Sequence, residues 1–309
     1  MIKVSEVSKS YGQRKAIDNM SFEVQEGEVV GFLGPNGAGK TTTMKMLTGF
    51  MAPTQGQILI DGVDVFEDPL RAKKVMGYLP ETPPLYVDMS VKKYLAYVSD
   101  LKGVKKEDKT KNIEYVIEKL KLEDVKNRMI KNLSKGYRQR VGIAQALVSK
   151  PKILILDEPT VGLDPTQVAE FRNLINELRG EHTIILSTHI LSEVQATCER
   201  VIIINKGKIV AENSIDGLAH MMTGAKNLVL RVRKNTPEFI KHLQALSYVR
   251  AVEAEGPRLK VQCDETETAL EKLAVETIEF KAGLLEIREE EVQLEKIFIE
   301  LTHKQEAQA

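Results

Sequence analysis

The stretch EVVGFLGPNGAGKTTTMKML (28–47) decides the fold. Its first part, EVVGFLG (28–34), is a short unbroken apolar run, the pattern of a strand buried on both faces. A helical segment follows, and between the two lies GPNGAGKTT (34–42), which fits G-x-x-x-x-G-K-[ST] in the strand–loop–helix context that motif requires. Gly34, Gly37 and Gly39, with Pro35, Asn36 and Ala38 between them, let the backbone bend so that successive N–H groups face phosphate oxygens. Lys40 is placed to reach β- and γ-phosphates and the Thr41 hydroxyl to ligate Mg²⁺. Thr42 follows in the first helical turn, where partial positive charge favours an anion. A nucleoside triphosphate is the ligand this arrangement implies.

Two further apolar runs, KILILDE (152–158) and TIILSTH (183–189), have the same texture. Buried strands separated by helical patterns imply a parallel sheet covered on both faces. The helices show in the spacing of Ile113, Val116, Ile117 and Leu120, and again in Val168, Phe171, Leu174, Ile175 and Leu178. Residues 1–24 and 56–66 alternate loosely, as half-exposed antiparallel strands do, and NKGK (205–208) reads as a hairpin turn. A Lys-rich helical insertion occupies about 85–150. The pattern changes after Met221–Gly224. From there LVLRVR (228–233), RLKVQCD (258–264) and LLEIREEE (284–291) read as strands, PEFIKHLQAL (237–246) and ETALEKLAVE (267–276) as helices. A last helix is expected to carry Leu294, Ile297, Phe298 and Leu301. The expectation is an α/β domain over 1–222 and a small α+β sandwich over 223–309.

The chemistry-bearing residues cluster where the predicted strands end. Asp157 and Glu158 close the second strand, the first placed to hold Mg²⁺ and the second to orient or deprotonate an attacking water. Taken alone, such acidic residues are often helix caps. Their position beside a phosphate loop is what singles them out. His189 closes the third strand, again at a carboxyl end, where open parallel sheets gather their ligands. His182, His220, His242 and His303 are expected at the surface. In LSKGYRQRVGIAQAL (133–147), Ser134 and Gly136 open a helix and offer N–H groups to an anion, with Ser134 as an ordinary helix cap the plainer reading.

Composition sets the outer limits. The 309 residues carry 44 Lys plus Arg and 44 Asp plus Glu, so the net charge is zero, which argues against a chain built to coat nucleic acid. That balance conceals a basic 101–140 segment, with 13 basic and 6 acidic residues, and an acidic 251–309 segment, with 7 and 15. No apolar run is long enough to span a bilayer, and MIKVSEVSKSYG lacks the apolar stretch of a secretory signal. Cys198 and Cys263 suit a reducing compartment and have no metal-site spacing.

Across roughly residues 1–220 and in motif order, the chain resembles the nucleotide-binding subunit of an ABC transporter. GPNGAGKTT is similar to its Walker A, ILILDEP (153–159) to Walker B, LSKGY (133–137) to the signature, VGLD (161–164) to the D-loop, and His189 to the switch histidine. The resemblance implies a P-loop nucleoside triphosphatase core with an antiparallel β subdomain and a helical subdomain, ATP as substrate and Mg²⁺ as cofactor. It implies that Tyr11 stacks on adenine. It further implies two such subunits, identical or related, packed head to tail, with Ser134, Gly136 and Asp164 meeting nucleotide held by the partner. An integral membrane permease is the implied third component, which would place the chain in the cytoplasm against the inner face of the membrane. Lys135 and Tyr137 depart from the usual LSGGQ, and Glu81 in GYLPE (77–81) stands where many members have glutamine, close enough to approach the metal. The nearest subgroup is bacterial and exporter-like, with a C-terminal domain expected to regulate or support the dimer. A ribosome- or nucleic-acid-remodelling ATPase is disfavoured, since those usually carry two cassettes and this chain has one phosphate loop.

Overall fold

The computed structural model describes residues 1–215, 217–218, 226–256, 258–264 and 268–289. The chain divides into two compact units, Met1–Ile215 and Asp216–Ala309, a few residues ahead of the expected change at 222/223.

In the first unit, β1 (Ile2–Tyr11), β2 (Arg14–Val24), β4 (Gln55–Ile60) and β5 (Val63–Asp64) form an antiparallel sheet in the order β2-β1-β4-β5. The second sheet comprises β3 (Val29–Leu33), β6 (Met76–Leu79), β7 (Ile153–Asp157), β8 (Thr183–Thr188), β9 (Arg200–Asn205) and β10 (Lys208–Ser214), ordered β10-β9-β3-β8-β7-β6. All its pairings are parallel except that of β9 with β10. Every residue of β3, β7 and β8 is buried, as a sheet covered on both faces demands. Ile2, Val4, Ile17 and Phe22 from the antiparallel sheet meet Val30, Phe32, Ile155 and Ile185 from the parallel one. Met44 and Leu47 of α1 (Lys40–Leu47) join the same core.

The β9–β10 hairpin turns on Lys206 and Gly207, with φ of 46° and 78°, the left-handed pair a two-residue type I′ turn needs. Gly207 N–H donates to Ala38 O at 2.9 Å, and its own carbonyl accepts from Asp18 N–H at 2.9 Å, so the turn is seated against the phosphate loop.

The expected helical insertion contains α3 (Val91–Leu101), α4 (Lys106–Lys119) and α5 (Lys135–Leu147), after the short α2 (Pro69–Lys74). β6 is a four-residue edge strand, too short to leave a readable periodicity. Helices α6 (Pro165–Leu178) and α7 (Leu191–Thr197) complete the unit. His182 is a correction to the surface expectation: it is buried, with Nδ1 2.6 Å from Pro151 O, because the turn after α6 folds inward to start β8.

The second unit runs β11 (Lys226–Val232), α8 (Pro237–Gln244), β12 (Val249–Glu255), β13 (Arg258–Cys263), α9 (Ala269–Glu279) and β14 (Leu284–Glu289). The strands form one antiparallel sheet, β12-β13-β11-β14, which is the βαββαβ split arrangement called ferredoxin-like. This is the expected α+β sandwich, one sheet covered by helices: Phe239 and Leu243 of α8 and Leu273 of α9 pack with Leu228, Leu230, Leu259 and Val261. β12 escapes a period-2 reading because its register shifts between Val249 and Ala251. The helix expected around Leu294–Leu301 lies outside the described residues.

Gly77 tests how tightly the helical insertion is fitted to the sheet. A Cβ there would collide with the carbonyl oxygen of Ala146 on α5. Gly77→Ala is expected to cost about 1–3 kcal/mol by overpacking, read as a Tm lowered by several degrees in thermal unfolding.

Candidate functional site

The sheet order sets the site. β8 lies between β3 and β7, with Leu33 opposite Thr188 and Asp157 opposite Ser187, so the phosphate loop, His189 and Asp157–Glu158 leave the same edge side by side. At that edge an open cleft of about 890 Å³ is lined by Asn36, Gly37, Gly39, Lys40, Thr41 and Thr42 of the loop and by Glu81, Glu158 and His189. Tyr11 lines its far end.

Glycine is required in the loop for specific reasons. At Gly34 a Cβ would lie 2.6 Å from Ile204 O, and at Gly39, where φ is 111°, 2.5 Å from Ile17 Cδ1. Gly37 has φ of 81° but open space around it, so its need is conformational rather than steric. Gly34, Pro35 and Ala38 do not line the cleft. Gly34 and Pro35 hold Lys40 from behind, their carbonyls accepting from its ammonium at 2.8 and 3.3 Å. The buried Ala38 N–H donates to Pro35 O at 3.1 Å and tightens the turn.

Lys40 Nζ also lies 3.2 Å from Glu158 Oε1, while Glu158 Oε2 lies 2.9 Å from His189 Nδ1. Lys40 and Glu158 are each 6% exposed, so this ion pair is shielded from solvent. Glu158 has φ of 48°, a left-handed backbone unusual for a side-chain-bearing residue. Its N–H donates to Ser187 O at 3.0 Å, which fixes that turn.

Asp157 is fully buried. Ser187 Oγ donates to its Oδ1 at 2.5 Å, but Oδ2 has no hydrogen-bond partner. Burial pushes its carboxyl above the ordinary carboxylate range, the hydroxyls of Ser187 and Thr41 pull it down, and the charges of Glu158 and Glu81 push it up again. An unpaired carboxylate oxygen beside a threonine hydroxyl, repelled by two more carboxylates, is an all-oxygen donor set that suits Mg²⁺. That ion takes one or two carboxylates and completes its shell with water and substrate phosphates. Among the described residues no three His, Cys, Asp or Glu side chains cluster to hold a metal by themselves.

Tyr11 is half exposed, with its hydroxyl 2.8 Å from Met51 Sδ and its ring 5.7 Å from Lys9 Nζ. The structure adds Arg14, Lys15, Ala16 and Lys206 to the lining, none of them a site residue from sequence, together with Val161 of the VGLD stretch. Arg14 and Lys15 follow the Gly12 turn after Tyr11, and Lys206 is carried in by the β9–β10 hairpin. Basic side chains thus outnumber acidic ones around the opening, which favours a polyanion.

Ser134, Gly136 and Asp164 do not line this cleft. Ser134 caps α5, accepting from Tyr137 N–H at 3.4 Å. Gly136 is buried where a Cβ would strike the Gln167 side chain. Asp164 caps α6 by accepting from Gln167 N–H at 2.9 Å, within a reciprocal capping box. Cys198 and Cys263 are both buried free thiols, with burial pushing the former up to about 12 and the latter up to about 11.

A phosphate loop, an acidic strand end and a histidine on adjacent parallel strands define a nucleotide-hydrolysing P-loop protein. A family profile described as ABC transporter matches residues 17–161. An ABC transporter ATP-binding protein of Methanocaldococcus jannaschii is 42% identical over 222 residues, 72% of this chain and 80% of its own. The bacitracin transport ATP-binding protein of Bacillus licheniformis is 39% identical over 220 residues, 71% of each chain. An ABC transporter ATP-binding protein of Bacillus subtilis is 31% identical over 301 residues, 97% of this chain and 98% of its own. Among solved structures, an ATP-binding subunit of an ABC transporter superposes with a TM-score of 0.67 at 30% identity, covering 72% of this chain and 92% of that one. A dimeric ATP-binding cassette in a post-hydrolysis state, bound to ADP and Pi, gives 0.64 at 25% identity, covering 70% and 99%. The chain belongs to the ATP-binding subunits of ABC transporters, and it is an ATPase of that family.

Asp157 carries a stability prediction of definite sign. A carboxyl whose folded pKa is raised stabilises the fold while protonated, and that contribution is lost as pH rises from the ordinary value, 3.8, through the raised one. Without nucleotide, Asp157→Asn is therefore expected to melt higher than the parent at neutral pH, with the gap closing as pH falls towards 4. Melting curves in chelator across that range check it.

Proposed function

We propose that this chain is the ATP-hydrolysing motor of a membrane export complex, working as a head-to-tail pair with ATP held between the phosphate loop of one subunit and the α5 start of the other. The observation that carries the reading is Glu158, buried and held between Lys40 and His189 on the floor of the cleft. The match to a bacitracin transport ATP-binding protein supports the transport part of the reading.

In this reading the loop N–H groups and the α1 N-terminus take the phosphates, and Lys40 turns from Glu158 to the β- and γ-phosphates as they arrive. That turn leaves Glu158 free to accept a proton from, or orient, the attacking water. His189, still within reach of Glu158, faces the same point and donates to the γ-phosphate or the water. Thr41 and Asp157, with Glu81 nearby, would hold Mg²⁺, which neutralises phosphate charge when bound. Tyr11 stacks on the base, and Arg14, Lys15 and Lys206 guide the polyanion inward. Ser134 and Gly136 offer the partner's nucleotide the positive end of α5 and its free N–H groups, and Asp164 meets the same junction.

Among the described residues no helix is long and apolar enough to cross a membrane. A membrane-embedded permease subunit is the partner the family supplies, with this chain on its cytoplasmic face. The basic stretch 101–140 suits that surface and its anionic lipids.

Lys40→Ala is expected to abolish measurable ATP affinity, tested by titration with a fluorescent ATP analogue; unchanged affinity would remove the phosphate-loop assignment. Glu158→Gln is expected to keep ATP binding, lose turnover by at least about a hundredfold and accumulate an ATP-bound dimer on size exclusion. Wild-type turnover in that variant defeats its catalytic role.

A further inference from the structure

Behind the cleft, outside its lining, sits a carboxylate that none of the motifs includes. Glu193 lies on α7 and is 2% exposed. Its Oε1 accepts from Thr160 Oγ1 at 2.5 Å and its Oε2 from Thr188 Oγ1 at 2.9 Å. Both hydroxyls are buried as well. Thr160 is two residues past Glu158, and Thr188 immediately precedes His189.

The clamp is tighter than two bonds. Thr188 Oγ1 also accepts from Ile190 N–H at 3.0 Å, so the residues on either side of His189 are pinned to one hydroxyl, and that hydroxyl to Glu193. His189 is exposed at its ring while its backbone is fixed on both flanks. On the other side, Thr160 anchors the chain leaving the left-handed turn at Glu158, a conformation that persists only where its surroundings impose it. Among the described residues Glu193 forms no ion pair, so its burial carries a desolvation cost that an apolar side chain of similar size would avoid. Two hydroxyl bonds offset part of that cost and yield a fixed spacing between two loops.

We propose that Glu193 is a positioning residue for hydrolysis: its buried carboxylate ties Thr160 to Thr188 and thereby holds Glu158 and His189 at contact distance. The inference rests on the reading that Glu158 and His189 act on the attacking water. Glu193 touches neither nucleotide nor cleft, so its effect falls on the chemical step and not on ATP binding.

The test uses the full chain and follows steady-state ATP hydrolysis, ATP affinity and Tm together. Glu193→Gln keeps the shape and removes the buried charge. It is expected to lower kcat at least about tenfold, as displacement of catalytic groups by a fraction of an ångström does, with ATP affinity within about twofold. Its Tm is expected to hold or rise, which separates positioning from general destabilisation. In the His189→Ala background the same change is expected to cost clearly less turnover than in the parent, because one of the two groups it positions is already gone. Thr160→Val removes one arm of the clamp at constant shape and is expected to reproduce the loss should Glu193→Gln not fold. Wild-type kcat in both Glu193→Gln and Thr160→Val, or losses that multiply fully with His189→Ala, would overturn the proposal. If Glu158→Gln itself hydrolyses ATP normally, the underlying reading of the site fails instead, and the two results are distinguishable.

Discussion

The pairing of Glu158 with Lys40 on one side and His189 on the other is the interaction on which the rest of the first unit depends. Each residue follows a different strand, and the three strands are neighbours in the order β3-β8-β7. A parallel sheet sends all its carboxyl ends to one edge, so three segments far apart in sequence arrive within hydrogen-bond distance with no long loops. The antiparallel sheet contributes the far side of the cleft, through Tyr11 and Arg14 at the β1–β2 turn, and its packing on α1 fixes the phosphate loop from below. Glycines at positions 34 and 39 are consequences of that packing, since Ile204 and Ile17 occupy the space their side chains would need.

Charge is distributed to make the cleft incomplete without its ligands. Asp157 is buried with an unpaired oxygen, and Glu158 and Glu81 raise the cost of its ionisation. Lys40 satisfies Glu158 only while no phosphate competes for it. In the proposed reading a polyanion with a divalent cation would relieve both problems together, the cation meeting Asp157 and the phosphates taking Lys40. Binding and catalytic readiness would then be linked by one exchange of partners, because the ion pair seen between Lys40 and Glu158 is the one that would have to open for Glu158 to act as proposed.

The parts of this arrangement legible in sequence are those whose physics is local. Strands β3, β7 and β8 show as apolar runs because both their faces are covered, and the phosphate loop shows because backbone curvature and phosphate contact both demand glycine. Residues brought in by topology leave no comparable trace. Lys206 reads as the first residue of a hairpin turn, and only the seating of that turn against Ala38 places it at the cleft. Glu193 reads as a polar residue on a seven-residue helix, and His182 as one more surface histidine. The second unit is legible in its elements except β12, whose bulge hides the alternation, and not in its strand order, which follows from long-range pairing.

Ser134, Gly136 and Asp164 show why a motif and its role can separate. Within one chain each has a complete local explanation, as a helix cap or a close contact, so nothing in their own surroundings demands a ligand. What joins them to the site is mechanical. Gln139 of α5 donates to Pro159 O at 2.8 Å, next to Glu158, and Gly136 rests against Gln167 of the helix that Asp164 caps. Lys135, which stands where the family usually has glycine, lies across Gly162, whose φ of 76° and missing side chain leave it room. The replacement is therefore absorbed by a glycine on the facing loop, and the start of α5 remains fastened to the strand end that carries Glu158. In the proposed head-to-tail pair, a partner subunit pressing its nucleotide against α5 would push on the same short stretch, 159–164, that leads away from this chain's own Glu158, and the two sites would have a direct physical route to each other.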